Sequence, residues 1–173
     1  MRAGRHYAEF SYGTESKEDG QESAFGVVRS EWSFDGFKSA GAEHTDYAPT
    51  FACHGKGNCF YTTEGKLYPN PDTADGFQGS SDWPGSQSAQ EEGDRIGMLL
   101  DIDAGTMTVF KNDKVMGVMS WGIAAGSYCW AVEMPCVLEE DFITIERKPA
   151  PPAPSADALA AAVAAAAAAA DDY

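Results

Sequence analysis

The stretch Glu91 to Met119, EEGDRIGMLLDIDAGTMTVFKNDKVMGVM, constrains the chain more than any other part of it. Ile96 to Ile102 is a short apolar run, rich in branched residues, and reads as a buried strand. Asp103-Ala104-Gly105 breaks it, because Asp caps turns through its side chain and Gly supplies positive φ without steric cost. Thr106 to Phe110 alternates Thr, Met, Thr, Val, Phe, the pattern of a strand with two distinct faces. Lys111-Asn112-Asp113-Lys114 then reads as a two-residue hairpin loop, since Asn and Asp both tolerate the left-handed conformation. Val115 to Met119 is the third strand. The unit is an antiparallel meander of three strands and two tight turns.

Composition agrees with an all-β chain. The sequence has 173 residues, 12% aromatics and 18 glycines. That length predicts one domain plus a tail, and glycines with frequent turn signals favour strands. The 43% hydrophobic content includes a C-terminal alanine tract that builds no core. There are 27 acidic against 12 basic residues, a formal net charge of −15. Such a field repels phosphate backbones and anionic lipid, and no Lys/Arg cluster offsets it. Neither nucleic acid nor a membrane surface is expected as a partner. MRAGRHYAEF has no apolar core of signal-peptide length, and the run Ala158 to Ala170 is too short and weakly apolar to span a bilayer. Cys53, Cys59, Cys129 and Cys136 then read as free, mostly buried thiols in a reducing compartment, cytoplasmic or nuclear.

In chain order, Arg5 to Tyr12 alternates as a strand. It begins four residues from Met1 with no strand before it, so the expectation is either an unpaired edge at the start of the fold or a chain that is a fragment of a longer product. Gly13 to Ser23 is an acidic, polar loop. Ala24 to Ser30 is a strand in which Gly26 permits close backbone approach. Glu31 to Gly57 is long and irregular, and a connection of this length is usually functional. Asn58 to Tyr68 is a hairpin with Glu64-Gly65-Lys66 at its tip. Pro69 to Gln90 is polar and broken by prolines and glycines, with Trp83 exposed in it or folded back onto the sheet. Ser120 to Ser127 is a loop containing Trp121. Tyr128 to Met134 is a strand with Tyr128, Trp130, Val132 and Met134 on one face, and Phe142 to Arg147 is the last strand. KPAPPAP, Lys148 to Pro154, is polyproline-prone. The alanine-rich end has high helix propensity with Ser155 or Asp157 to cap it, and is expected to lie outside the fold.

With the meander and its flanks in place, the chain resembles the SPRY domain family. Gly4-Arg5-His6-Tyr7-Ala8-Glu9-Phe10 looks like the family's opening strand, G-[RK]-H-Y-x-x-[VF], and Gly26-Val27-Val28-Arg29 like the strand after it. Gly65-Lys66-Leu67-Tyr68 with Asn70 matches G-K-L-[YF]-x-N. Gly93-Asp94-Arg95-Ile96-Gly97, Leu100-Asp101-Ile102-Asp103 and Gly105-Thr106 are close to G-D-x-I-G…L-D-x-D-x-G-T. Phe110-Lys111-Asn112 and Gly117-Val118 match F-x-K-N-G…L-G-V in kind, with Asp113 where the pattern has Gly. Tyr128-Cys129-Trp130-Ala131-Val132 is similar to Y-x-P-A-V. The resemblance covers Gly4 to Arg147. It implies a bent two-sheet antiparallel β-sandwich, concanavalin-like and jelly-roll in architecture, over 1–147, with a Pro-rich linker at 148–154 and an Ala-rich tail at 155–173.

The resemblance also implies an interaction module rather than an enzyme. Asp101 and Asp103 read as turn formers rather than acid and base. Glu9 and Glu133 are a weak carboxylate pair, because nothing in the sequence sets them across a cleft. Cys53-His54 and Cys59, with His44 nearby, lack the C-x2-C knuckle of a zinc site. No catalytic residue, metal or cofactor is expected. SPRY relatives that act as adaptors bind peptides or protein surfaces with loops at one rim. By position those loops are Gly13 to Ser23, Trp32 to Phe51, and Met134-Pro135. The partner-binding candidates are Tyr12, Trp32, Phe34, Tyr47, Phe51, Trp83, Trp121, Met134 and Pro135. Each loop aromatic taken singly is expected to fold over the sandwich, and one or two of the set to stand out as anchors. The first loop is acidic (Glu15, Glu18, Asp19, Glu22) where peptide-binding members often carry arginine. A neutral or basic partner segment therefore fits best. The competing expectation is a lectin-like glycan site built on Pro69 to Trp83, with Asn70, Asp72, Asp75, Asp82 and Trp83.

Overall fold

The computed structural model describes residues 1–13, 23–30, 58–68, 81–89, 93–133 and 142–170. Among them are nine strands: β1 (Arg5–Gly13), β2 (Ala24–Arg29), β3 (Cys59–Thr62), β4 (Leu67–Tyr68), β5 (Arg95–Asp101), β6 (Thr106–Lys111), β7 (Lys114–Trp121), β8 (Tyr128–Glu133) and β9 (Phe142–Lys148). One helix, α1 (Ala156–Ala170), follows. The strands form two antiparallel sheets, ordered β7-β6-β5-β1-β9 and β4-β3-β2-β8. The chain is all-β with a helical tail, and its two sheets pack into a sandwich.

The turns of the meander form as their residues dictate. Asn112 and Asp113 both have positive φ, 50° and 68°, and Lys111 pairs with Lys114 across them. At the first turn the Asp101 carboxylate accepts a hydrogen bond from the Ala104 N–H at 2.9 Å. Gly105 supplies the positive φ there. Asp103 accepts from the Gly4 N–H at 3.1 Å and so ties the turn to the start of β1. These contacts are those of turn formers.

The core lies between the sheets. Ala8, Phe10, Ile96, Met98, Leu100, Met107 and Val109 come from one sheet, and Phe25, Val27, Cys59 and Tyr61 from the other. Phe10 stacks on Phe25 at 5.2 Å and Phe25 on Tyr61 at 5.7 Å, so an aromatic column ties the layers together. Strict alternation would put Met116 and Met119 on opposite faces. Register shifts at Met107/Thr108 and Val109/Phe110 bring both into the core. The same irregularity carries β7 on to Trp121, two residues beyond the expected end at Met119.

One expectation needs correction. β1 is no edge: it pairs with β5 on one side and β9 on the other, because the C-terminal strand returns to it. The alanine-rich tail is helical, with the Ser155 hydroxyl accepting from the Ala158 N–H at 3.1 Å as its N-cap. It stays out of the core between the sheets and touches the sandwich from outside. Ala150 packs on Tyr7, Leu99 and Phe110, and α1 lies against β7.

Complete burial pushes the Cys59 thiol up to about 12, from an ordinary 9, against a smaller lowering by its hydrogen bond with Ser120. Burial, reinforced by Glu9 and Asp113, pushes Tyr7 up to about 12, and burial raises Tyr61 as well. An unfolded chain releases the Cys59 proton near pH 9, while the folded chain holds it to about pH 12. Between those values the folded state binds more protons, so stability falls as pH rises. Urea midpoints measured from pH 8 to 11 should decline from pH 9 onward. In Cys59→Ala the decline should begin only near pH 10, where the tyrosines take over.

Candidate functional site

The strand pairing sorts the loops between two ends of the sandwich. Gly13 pairs with Phe142, and Ala24 with Glu133. The 14–22 and 134–141 segments therefore depart from one end. The 31–57 segment leaves at Ser30 and returns at Asn58, at the opposite end. There the Ser30 N–H donates to the Ser127 carbonyl at 2.8 Å, and the Arg29 N–H to Asn58 Oδ1 at 3.1 Å. The loops grouped by position onto one rim are thus anchored at two. Trp32, Phe34, Tyr47 and Phe51 belong by connection to the Ser30 end, and Met134 and Pro135 to the Gly13 end; all six lie outside the described residues. Tyr12 is in β1, opposite Ile143.

Trp121 stands at the Ser30 end. It closes β7, pairs with Thr106, and is 71% exposed. Gly122 beside it turns the chain with φ of 72°. The loop that follows is held at four points. Ile123 N–H donates to the Gly105 carbonyl at 3.0 Å. The Tyr128 hydroxyl donates to the Ala124 carbonyl at 2.7 Å, and Arg29 Nη2 to the Ala125 carbonyl at 3.0 Å. Tyr128 N–H donates to the Met1 carbonyl at 2.8 Å. The Arg29 guanidinium also sits 5.8 Å above the Tyr128 ring, within cation–π range. A Cβ on Gly126 would come 2.8 Å from Arg29 Nη2, so glycine there lets the arginine in. The result is an exposed indole on a buttressed frame.

Trp83 is no anchor. It is 6% exposed, and its Nε1–H donates to the Gly65 carbonyl at 2.8 Å. Its ring meets Tyr61 edge to face at 6.5 Å. The indole closes the open side of the core, and its polar edge is satisfied by the tip of the β3–β4 hairpin. A buried Trp83 cannot be the aromatic platform of a glycan site. Two exposed apolar side chains were missed in the sequence, Phe142 at 58% and Ile145 at 41%, both on the edge strand β9. Their signal was the FITIER alternation, which puts apolar residues on both faces of a strand at the edge.

The acidic residues have structural partners. Glu9 is buried on the outer face of the five-stranded sheet, bonded to Lys148, with Arg95 Nε at 3.9 Å. The hydrogen bond that Lys148 donates to Glu9 raises its ammonium above the usual lysine range. Asp94 pairs with Lys111 at 2.9 Å and accepts from Asn112 at 2.9 Å. Glu133 aligns with Ala24, on the outer face of the other sheet. Glu9 and Glu133 are thus separated by both layers, at least about 10 Å, and cannot flank one bond. Among the described residues, no three His, Cys, Asp or Glu side chains gather as a metal site needs. Among them, too, no helix is long and apolar enough to cross a membrane.

Comparison with known proteins defines the architecture. No family model matches the chain, and no curated protein matches it. Among solved structures it is similar to the SPRY domain of human HERC1, with a TM-score of 0.55 at 16% identity, over 85% of this chain and 76% of that chain. The fold is SPRY-like.

Proposed function

We propose that the chain is a non-catalytic protein-binding module that takes a protein or peptide segment on the rim at the Trp121 end. The observation that carries this is Trp121 itself. It is a large aromatic, 71% exposed, at the end of β7 and beside a loop whose backbone is tied down at several points. Aromatic side chains on rigid supports are the usual hot spots of interfaces, and loops on a rigid scaffold are where sandwiches carry function. The 31–57 segment, with Trp32, Phe34, Tyr47 and Phe51, is tethered at the same end and would supply the rest of the surface. A net charge of −15 favours a neutral or basic partner segment. The free thiols of Cys59 and Cys129 fit a reducing compartment, cytoplasm or nucleus. An adaptor role follows from such a module.

The test is selection of peptides from a random display library against the full chain, followed by calorimetry of the enriched sequences. Trp121→Ala should lower their affinity by about 2 kcal/mol, or about thirtyfold. Its urea midpoint should stay within about 0.5 kcal/mol of the parent, as for an exposed site. Selected ligands indifferent to Trp121→Ala and to alanine substitutions in 31–57 would refute the reading. So would a chain that binds only sugars on a glycan array.

A further inference from the structure

The outer face of the five-stranded sheet carries a second apolar surface. Tyr7, Leu99 and Phe110, from β1, β5 and β6, are buried there, and Val115 and Ala150 pack against them. Tyr7 and Phe110 meet edge to face, with ring centroids 5.8 Å apart. Gly97 makes room for this pair, since a Cβ there would lie 2.0 Å from the Tyr7 hydroxyl. The surface spans the middle of the sheet, between the row that holds Trp121 and the Asn112–Asp113 turn.

The chain's own tail is seated on this surface. β9 ends at Lys148, which pairs with Tyr7. Tyr7, Glu9, Phe110 and Asp113 on the sheet side, with Lys148, Pro149 and Pro151 on the tail side, line a groove of about 390 Å³. Ala150 between the two prolines packs on the aromatic pair. Beyond them α1 lies against β7, at the far edge of the sheet. The tail thus crosses from one edge strand to the other, four inter-strand spacings or about 19 Å. A seven-residue polyproline II segment spans about 22 Å, so KPAPPAP, Lys148 to Pro154, has the length for the crossing.

An extended proline-rich strand laid over aromatic rings is one of the recurring modes of peptide recognition. Its ligand is ordered beforehand, so little entropy is lost on docking. On the sheet side Asp113 is matched by Arg95 at 2.5 Å, while Glu9 holds Lys148 of the strap itself, so a competing segment with a basic residue just ahead of its prolines replaces both the apolar contact and the ion pair.

We propose that this outer face is a docking surface for a proline-rich extended segment of a partner protein, which displaces the chain's own strap. Occupation in cis keeps the surface closed until a competing segment arrives, because a tethered strap acts at high effective concentration. The proposal does not depend on Trp121, which is not among the residues that line the groove.

The experiment uses the full chain and a labelled peptide with the sequence of residues 147–156, RKPAPPAPSA, read by fluorescence anisotropy. The full-chain variant Pro149→Gly/Pro151→Gly loosens the strap. It should bind the peptide at least about tenfold more tightly than the parent does, by relief of the tethered competitor. Amide shifts on peptide addition should centre on Tyr7, Leu99, Phe110 and Val115, which also reports on variants too unstable to compare by affinity. Equal binding by parent and variant would overturn the proposal. So would equal binding of a peptide with every proline replaced by alanine, or shifts centred on Trp121. Concentration-dependent dimers of the variant through exchanged tails would make the occupant a second copy and overturn it as well.

Discussion

Trp83→Ala should lower stability by about 3–5 kcal/mol, the range for removing a large buried aromatic. The indole fills space against Tyr61, and its Nε1–H is satisfied by the Gly65 carbonyl. Backbone approaches closely on its other sides: a Cβ at Gly85 would lie 2.7 Å from the ring, and one at Gly117 3.2 Å. Neighbours fixed by sheet pairing cannot collapse into the space that alanine would leave. Against a net stability of about 5–15 kcal/mol, the loss would move the urea midpoint far down or leave the chain partly unfolded. Trp83→Phe keeps most of the bulk and drops the donor, a cost of about 1 kcal/mol. That smaller figure is reasonable because the Gly65 carbonyl also accepts from the Ser86 hydroxyl at 2.9 Å. A surface anchor would behave in the opposite way, with stability unchanged within about 0.5 kcal/mol and binding lost.

Gly26→Ala should cost about 3 kcal/mol or more, at or beyond the top of the usual overpacking range. A Cβ there would lie 2.0 Å from the Cys59 carbonyl oxygen and 2.7 Å from the Phe60 Cα. Both are backbone atoms of β3, so no side chain can swing away. β2 also pairs with β8 on its other side, and shifting β2 to relieve one contact strains the other ladder. The control is Gly4→Ala. Nothing lies within 4 Å of a Cβ at that position, and only the positive φ of 75° opposes it. Its cost should be about 1–2 kcal/mol. Thermal melts of the two variants followed by circular dichroism should rank them in that order, and a Gly26→Ala melt equal to the parent's would show that β2 and β3 are further apart than the geometry requires.

Features fixed by neighbours in sequence were legible. The meander, the Asn112–Asp113 turn, the turn-forming aspartates and the Ser155 cap each depend on a few consecutive residues and their intrinsic preferences. Gly26 was legible as a point of close approach, although the strand it approaches begins over thirty residues later. Features fixed by distant partners were not. Nothing in DWPGS says that Trp83 turns inward; that depends on a carbonyl at Gly65 and on space left by Gly117. The two bulges between β6 and β7 erase the alternation that would separate Met116 from Met119. The tail looked separate because alanine and proline carry little amphipathic pattern. Its seat is made by Tyr7, Leu99 and Phe110, residues of three strands that only the sheet pairing brings side by side. The candidate rim was legible as a set of aromatics but not as a place, since the ends at which loops emerge depend on strand order.

The most direct test of protein binding through the rim is amide chemical-shift mapping of the full chain with a display-selected peptide. Binding at the Trp121 end predicts shifts concentrated in Asp101 to Gly105, Trp121 to Tyr128 and Arg29-Ser30, with the Trp121 indole N–H among the largest. Shifts confined to the Gly13 end, or spread thinly over both faces of the sandwich, would contradict it.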